Sequence, residues 1–258
     1  MNLQTRLILI IKSKCNLHKN ILLFHACILF YSFLSSSWSN EIDYKRLEKK
    51  EGLYYKTSSE TPYTGQVSGQ IKGKIVSGKK EGLHLKFYKN GKILSKANFK
   101  KNKLNGKYLE YYYNGNILTE KEYDNGKLEG EVFDYYSMGQ LLSKRNYNDG
   151  ILNGQYLDYY KNGQLNNKKH YKDGKLEGEY LTFHEYELNQ KVQLKIKSFY
   201  KNGKLEGEYL EYNEQGTLIG KGFYLNGRLE GEYFKYNKNA KLYEKRIYKN
   251  GSLIEVRN

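Results

Sequence analysis

Seven leucines, Leu104, Leu128, Leu152, Leu176, Leu205, Leu229 and Leu253, recur at intervals of 24, 24, 24, 29, 24 and 24 residues. A unit of this length is too small to bury a core alone, so neighbouring units must stack and share one continuous core. Function in such a chain is expected on the extended surface of the stack rather than in one enclosed pocket.

Counting each leucine as position 1, position 3 is glycine in every unit: Gly82, Gly106, Gly130, Gly154, Gly178, Gly207 and Gly231, the first in a leading unit that begins at Lys80. Position 6 is Leu or Phe, position 8 Tyr or Phe, position 14 Ile or Leu, and position 20 Tyr except for Phe99. Positions 4–9 and 13–20 therefore read as two strands, each bounded by turn residues. Asn90-Gly91, Asn114-Gly115 and Asn162-Gly163 mark the tip inside a unit, and Asn125-Gly126, Asp149-Gly150 and Asn202-Gly203 mark joints between units. Such pairs supply the positive φ of tight hairpins. A helical reading would place glycine about every 12 residues, at roughly 1 kcal/mol each. The expected fold is all-β, an elongated single-sheet array of about seven 24-residue hairpins, or about 14 strands over ~65 Å. The position 3 glycine should mark a strand bend or the close approach of a ring. The long interval places an insertion at a hairpin tip, within Glu185 to Gln193, while Ala240 and Asn102 replace turn glycines near the two ends.

Ahead of the repeats, Arg6, Lys12, Lys14 and Lys19 precede an apolar run from Ile21 to Leu34 and the stretch Ser35, Ser36, Ser37, Trp38, Ser39. That order is the order of a secretory signal peptide, and the run is shorter than the roughly 20 residues of a spanning helix. Residues 1–39 read as the signal peptide, 40–63 as an N-terminal linker and lead-in segment, and 64–258 as the repeat domain. The product is expected to be exported: periplasmic, in the cell envelope, or secreted. Both cysteines, Cys15 and Cys27, lie in the leader, so the stack is expected to hold together without disulfides. Beyond the leader stand 40 basic and 28 acidic residues, a balance suited to an acidic partner.

The run Lys127-Leu128-Glu129-Gly130-Glu131, followed by an aromatic, Tyr135-Tyr136, a turn glycine and Leu141, resembles MORN-type repeats, and in particular the bacterial variant in YwqK-like proteins named as antitoxins. Gly52-Leu53-Tyr54-Tyr55 and Thr61-Pro62-Tyr63-Thr64-Gly65 are similar to the opening region of that variant, so the resemblance spans residues 51–258. It implies a hairpin array in which the position 3 glycine and a position 5 aromatic shape the core. It also implies an antitoxin-like partner role. Position 5 is His84, Tyr108, Val132, Tyr156, Tyr180, Tyr209 and Tyr233, so the aromatic rule is broken at His84 and Val132.

Glu129 with Glu131, Glu177 with Glu179, Glu206 with Glu208 and Glu230 with Glu232 have the look of paired catalytic carboxylates. A catalytic pair is needed once, however, whereas Glu repeated beside Lys is a cross-strand charge pattern worth roughly 0.2–1 kcal/mol per pair. His84, His170 and His184 lack metal-ligand spacing, and no nucleophile elbow or phosphate loop occurs. The chain reads as a non-enzyme, with no catalytic residue, cofactor or metal assigned. Strand alternation places positions 6 and 8 on one face and positions 5, 7 and 9 on the other. Position 9 is Tyr88, Tyr112, Tyr136 and Tyr160 in the first four units, then His184, Asn213 and Asn237. Packing alone should demand the ring everywhere, so these four tyrosines are candidate partner contacts; the competing role is to cover the second face of a single-layer sheet. The expected function is an exported scaffold that binds a protein or envelope partner through a tyrosine- and lysine-rich sheet surface. An antitoxin-like or immunity protein is the first alternative and anionic membrane-surface binding the second. Nucleic acid suits the charge and the rings but not an exported product.

Overall fold

A computed structural model describes residues 41–186 and 192–257. The proposed signal peptide lies outside the described residues. The described residues begin with β1 (Glu41–Asp43), a 3-10 turn at Tyr44–Arg46, and the hairpin β2 (Leu47–Lys50) and β3 (Leu53–Lys56). Then follow β4 (Gly65–Ser68), β5 (Ile71–Val76), β6 (Lys79–Phe87) and β7 (Ile93–Lys100), and from there hairpin follows hairpin to a last strand at Ser252–Arg257. Among the described residues, all strands but β2 and β3 belong to one sheet of 22 segments, or 18 strands if the four that a kink divides are counted once. The excess over the expected 14 comes from β1, β4, β5 and the last strand, which add to the same ladder. β4 onward is an antiparallel meander, while β1 lies parallel to β4, with Ile42 opposite Val67.

One unit explains all of them. Gly130 pairs with Tyr147 and Asp134 with Ser143, after which a bulge brings Tyr135 opposite Leu141. At the tip of the first hairpin the Gly91 N–H donates to the Tyr88 carbonyl at 3.0 Å. Only the glycine there is left-handed, at φ +84°, while the Asn90 side chain accepts the Lys92 N–H at 3.1 Å. At the joints both residues are left-handed, as at Asn125 (+48°) and Gly126 (+88°). The positive φ expected of these pairs is therefore supplied by both residues at the joints and by the glycine alone at the tips. In the unit with the insertion, Phe183 still faces Leu194, so the pairing is intact on both sides of the interval, and residues 187–191 of the expected tip insertion lie outside the described residues.

Ala240 occupies the tip's left-handed position at φ +58°. A Cβ there costs about 1–2 kcal/mol, against which glycine's extra unfolded-state entropy recovers about 0.5–1 kcal/mol. Ala240→Gly is thus expected to raise stability by about 0.5–1 kcal/mol, read as a higher urea midpoint at unchanged slope.

The position 3 glycines have φ between +69° at Gly82 and +106° at Gly154. Across each joint Tyr147 faces Leu152 and Arg145 faces Tyr156, so a single residue on one strand opposes three on the other, and the glycine takes up the kink. A Cβ built on Gly130 meets nothing within 4 Å. Of the two expected reasons for this glycine, the bend is the one at work there, and the close ring approach occurs instead at Gly73, beneath the His84 ring, and at Gly222, beneath Tyr233.

The sheet is packed on the face that carries positions 5, 16, 18 and 20. Val132, His84, Ser95, Thr119, Ser143, Ala97 and Ser198 are buried there. Position 5 rings meet position 20 rings, edge-on in Tyr108 with Tyr123 at 6.1 Å and Tyr209 with Tyr224 at 5.6 Å between centroids, and tilted in Tyr156 with Tyr171 at 5.9 Å. The position 5 core role implied by the resemblance is thus present, and at the two exceptions Val132 and His84 are the most enclosed of the series. The lead-in segment is folded rather than extended: Tyr63, Val67 and Ile75 form a buried cluster against Ile42, Tyr44, Leu47 and Tyr54. Asn102 ties this cap to the first repeat, accepting from the Lys80 N–H at 2.6 Å and donating to the Gly52 carbonyl at 2.8 Å. A glycine at Asn102 would serve the turn but lose both bonds.

Candidate interaction surface

The four position 9 tyrosines stand at the hairpin tips, half-buried. Each hydroxyl reaches across to the next unit. Tyr88 donates to the Tyr111 carbonyl at 2.6 Å, Tyr112 to Tyr135 at 2.7 Å, Tyr136 to Tyr159 at 2.8 Å, and Tyr160 to Phe183 at 2.9 Å. His184 makes the same bond through Nε2 to the Tyr212 carbonyl at 2.8 Å. Where asparagine takes over, it turns inward: Asn213 Oδ1 accepts the Gln215 and Thr217 N–H groups of its own tip at 3.0 and 2.9 Å. The change of residue along the series is therefore a change from a clasp between units to a cap within one, a packing explanation that the sequence pattern did not contain.

The repeated glutamates divide into two roles. Those of position 2 accept joint N–H groups: Glu129 from Asp149 at 2.9 Å, Glu177 from Asn202 at 2.8 Å, Glu206 from Asn226 at 2.7 Å and Glu230 from Asn250 at 2.6 Å. Those of position 4 pair with position 17 lysines across the hairpin, Glu131 with Lys144 at 2.5 Å, Glu179 with Lys197 at 3.0 Å and Glu208 with Lys221 at 2.7 Å. Only the second set is the expected cross-strand ladder. The first set caps turns.

On the packed face, burial raises the hydroxyls of Tyr108, Tyr156 and Tyr233 to about 12, so they stay protonated. Tyr108 also donates to Glu110 at 2.9 Å. Burial lowers the pKa of His84, whose Nε2 donates to the Lys74 carbonyl at 2.9 Å as a neutral ring. These groups are held by the core.

The opposite face carries a feature that unit-by-unit reading of the sequence missed. Through directly opposed residues, Lys72 faces Leu85, Leu85 faces Lys96, Lys96 faces Leu109 and Leu109 faces Glu120. The row runs on through Phe133, Lys144, Leu157, Lys168, Leu181, Lys197, Leu210, Lys221, Phe234 and Lys245. Position 17 cations, with Glu120 the exception, thus alternate with position 6 apolar side chains straight across the sheet, recurring every ~9.6 Å for strands about 4.8 Å apart. Lysine ammonium groups also lie over the rings beside them, Lys144 Nζ over Phe133 at 5.4 Å and Lys96 Nζ over Tyr111 at 5.5 Å to the centroid. The signal was present as a fixed pair of positions, 6 and 17, but their alignment depends on where the bulges fall.

A family model described as a MORN repeat variant matches residues 80–101, 104–125, 128–149, 152–173 and 205–226. The chain is a MORN-repeat protein. Each match starts at position 1, so the family's unit has the same frame as the hairpin described above. The two MORN-like hairpins outside the matches are the one with the tip insertion and the one with Ala240. A comparison with curated proteins gives no match. The tandem MORN repeats account for the row, because a side chain repeated once per unit is brought into line by the stacking itself.

Proposed function

We propose that this MORN-repeat chain is an exported, non-enzymatic scaffold that binds a protein partner along its sheet. The observation that carries the reading is the row of alternating lysine and apolar side chains on the face opposite the packed rings. It spreads one chemistry over the length of the array instead of concentrating several groups at one point, which suits a surface contact and not a reaction centre. The outer edges of Tyr88, Tyr112, Tyr136 and Tyr160 would extend that contact at the tip edge. Export rests on the leader pattern, and the antitoxin-like reading on the resemblance to YwqK-like proteins; each is a separate claim.

The test is capture on the immobilised chain from an envelope extract of the source cell, with mass spectrometry, followed by titration of the purified captured protein by calorimetry. The expected result is one protein that binds saturably at a fixed stoichiometry. A captured effector whose toxicity falls on binding would establish the antitoxin-like form of the same scaffold. Saturable binding to anionic vesicles with no protein retained would overturn the proposal in favour of a membrane surface.

A further inference from the structure

The row is not uniform in charge. Between Lys72 and Lys103 there are eleven lysines and one acidic residue, whereas from Leu104 to the end there are 24 basic and 22 acidic residues. The excess positive charge of the repeats is therefore gathered at β5, β6 and β7. Position 4 of this first hairpin is Leu83 where four later units have glutamate, so Lys96 lacks the ladder partner that Lys144, Lys197 and Lys221 possess. Lys72 and Lys74 likewise form no ion pair among the described residues, and Glu81, the one acid between Lys72 and Lys103, points its carboxylate at the Lys101 N–H, 2.9 Å away. Leu83 is 53% exposed among these lysines. Lys72 also lines a cleft of about 270 Å³ that runs between Gln70, Phe87, Tyr88 and Lys89 at the tip of the hairpin.

Building on the scaffold reading, we propose that this end of the array is the docking site for an acidic segment of the protein partner, one in which carboxylates alternate with apolar side chains. The carboxylates pair with Lys72, Lys74 and Lys96, and the apolar residues lie on Leu83, Leu85 and Phe87. Charge complementarity selects the sign, and the exposed leucine among the lysines selects an amphipathic segment over a bare polyanion. The sheet's geometry favours a peptide over a bilayer. Neighbouring strands rotate by roughly 20–25°, so four strands turn the row by roughly 60–75°; a chain follows such a turn and a flat surface does not.

The test uses the full chain and a fluorescein-labelled eight-residue peptide of alternating Glu and Leu, with an alternating Lys-Leu peptide and phosphatidylglycerol vesicles as comparisons. The variants are Lys72→Glu with Lys96→Glu, the neutral pair Lys72→Gln with Lys96→Gln, and a control, Lys197→Gln with Lys221→Gln, in the same row but at lysines that already have partners. All are surface changes, and an unchanged thermal midpoint confirms that each variant is folded. Charge reversal is expected to weaken Glu-Leu binding by about tenfold or more, neutralisation by less, and the control hardly at all, with affinity falling as salt rises. Equal affinity of the reversal variant and the parent, equal binding of the Lys-Leu peptide, or binding confined to vesicles would each overturn the site. If the captured protein partner still binds and ignores the reversal at Lys72 and Lys96, the scaffold stands and this docking site falls.

Discussion

Replacing Tyr88, Tyr112, Tyr136 and Tyr160 together with asparagine is expected to lower stability by about 4–8 kcal/mol. Each hydroxyl bonds the next unit's backbone at 2.6–2.9 Å, and a bond of this kind contributes about 1 kcal/mol, with as much again from the half-covered ring. Asparagine is the informative substitute because Asn213 and Asn237 already fill the same position, where they cap their own tips. It therefore preserves the hairpin while removing the clasp between hairpins. The corresponding quadruple phenylalanine variant isolates the hydroxyls and should lose about 4 kcal/mol. Denaturant unfolding measures both, and partner affinity in the folded fraction separates the roles: unchanged affinity assigns the rings to packing alone. A folded, fully stable asparagine variant that no longer binds its partner would instead make the tyrosines contact residues and the hydroxyl bonds incidental.

Gly130→Val should cost about 2–3 kcal/mol through the backbone. The glycine sits at φ +74°, where a β-branched residue is strained, yet its Cβ would meet open space. Strain without clash predicts a particular order of substitutions: asparagine costs least, alanine more and valine most, following tolerance of the left-handed region rather than side-chain volume. The urea midpoints of the three variants give that order directly. A ranking by size would show that the ring packing at this position had been underestimated.

How far the sequence disclosed these features depended on whether they repeat along one strand or arise between strands. The 24-residue period, the joint Asn-Gly pairs and the apolar positions 6, 8, 14 and 20 together specified the hairpins, and the displacement of Leu205 located the insertion at a tip, where Phe183 and Leu194 now face each other. The clasp at Tyr112 was hidden because its acceptor is a backbone carbonyl 23 residues away, and a carbonyl leaves no trace in residue identity. The split between Glu129 and Glu131 was hidden for the same reason: one accepts a backbone N–H, and only the other meets a charged side chain. The row through Lys96, Leu109 and Glu120 needs the register on both sides of each strand, which the bulges shift by amounts that no propensity specifies. At the N-terminal end, Asn102 looked like a worn terminal glycine but is the bond that seats the cap.

The array is built from interchangeable units in one continuous sheet. Excising residues 128–151 removes one 24-residue unit and joins Lys127 to Leu152, the first position of the next, so every remaining pairing keeps its register. Tyr112 would then find the Tyr159 carbonyl where Tyr135 had been. Small-angle X-ray scattering on the shortened chain, beside the parent, is the direct measurement. The account predicts a folded β protein whose longest dimension shrinks by about 10 Å, the width of two strands. An unfolded or aggregated chain, or one of unchanged length, would contradict it.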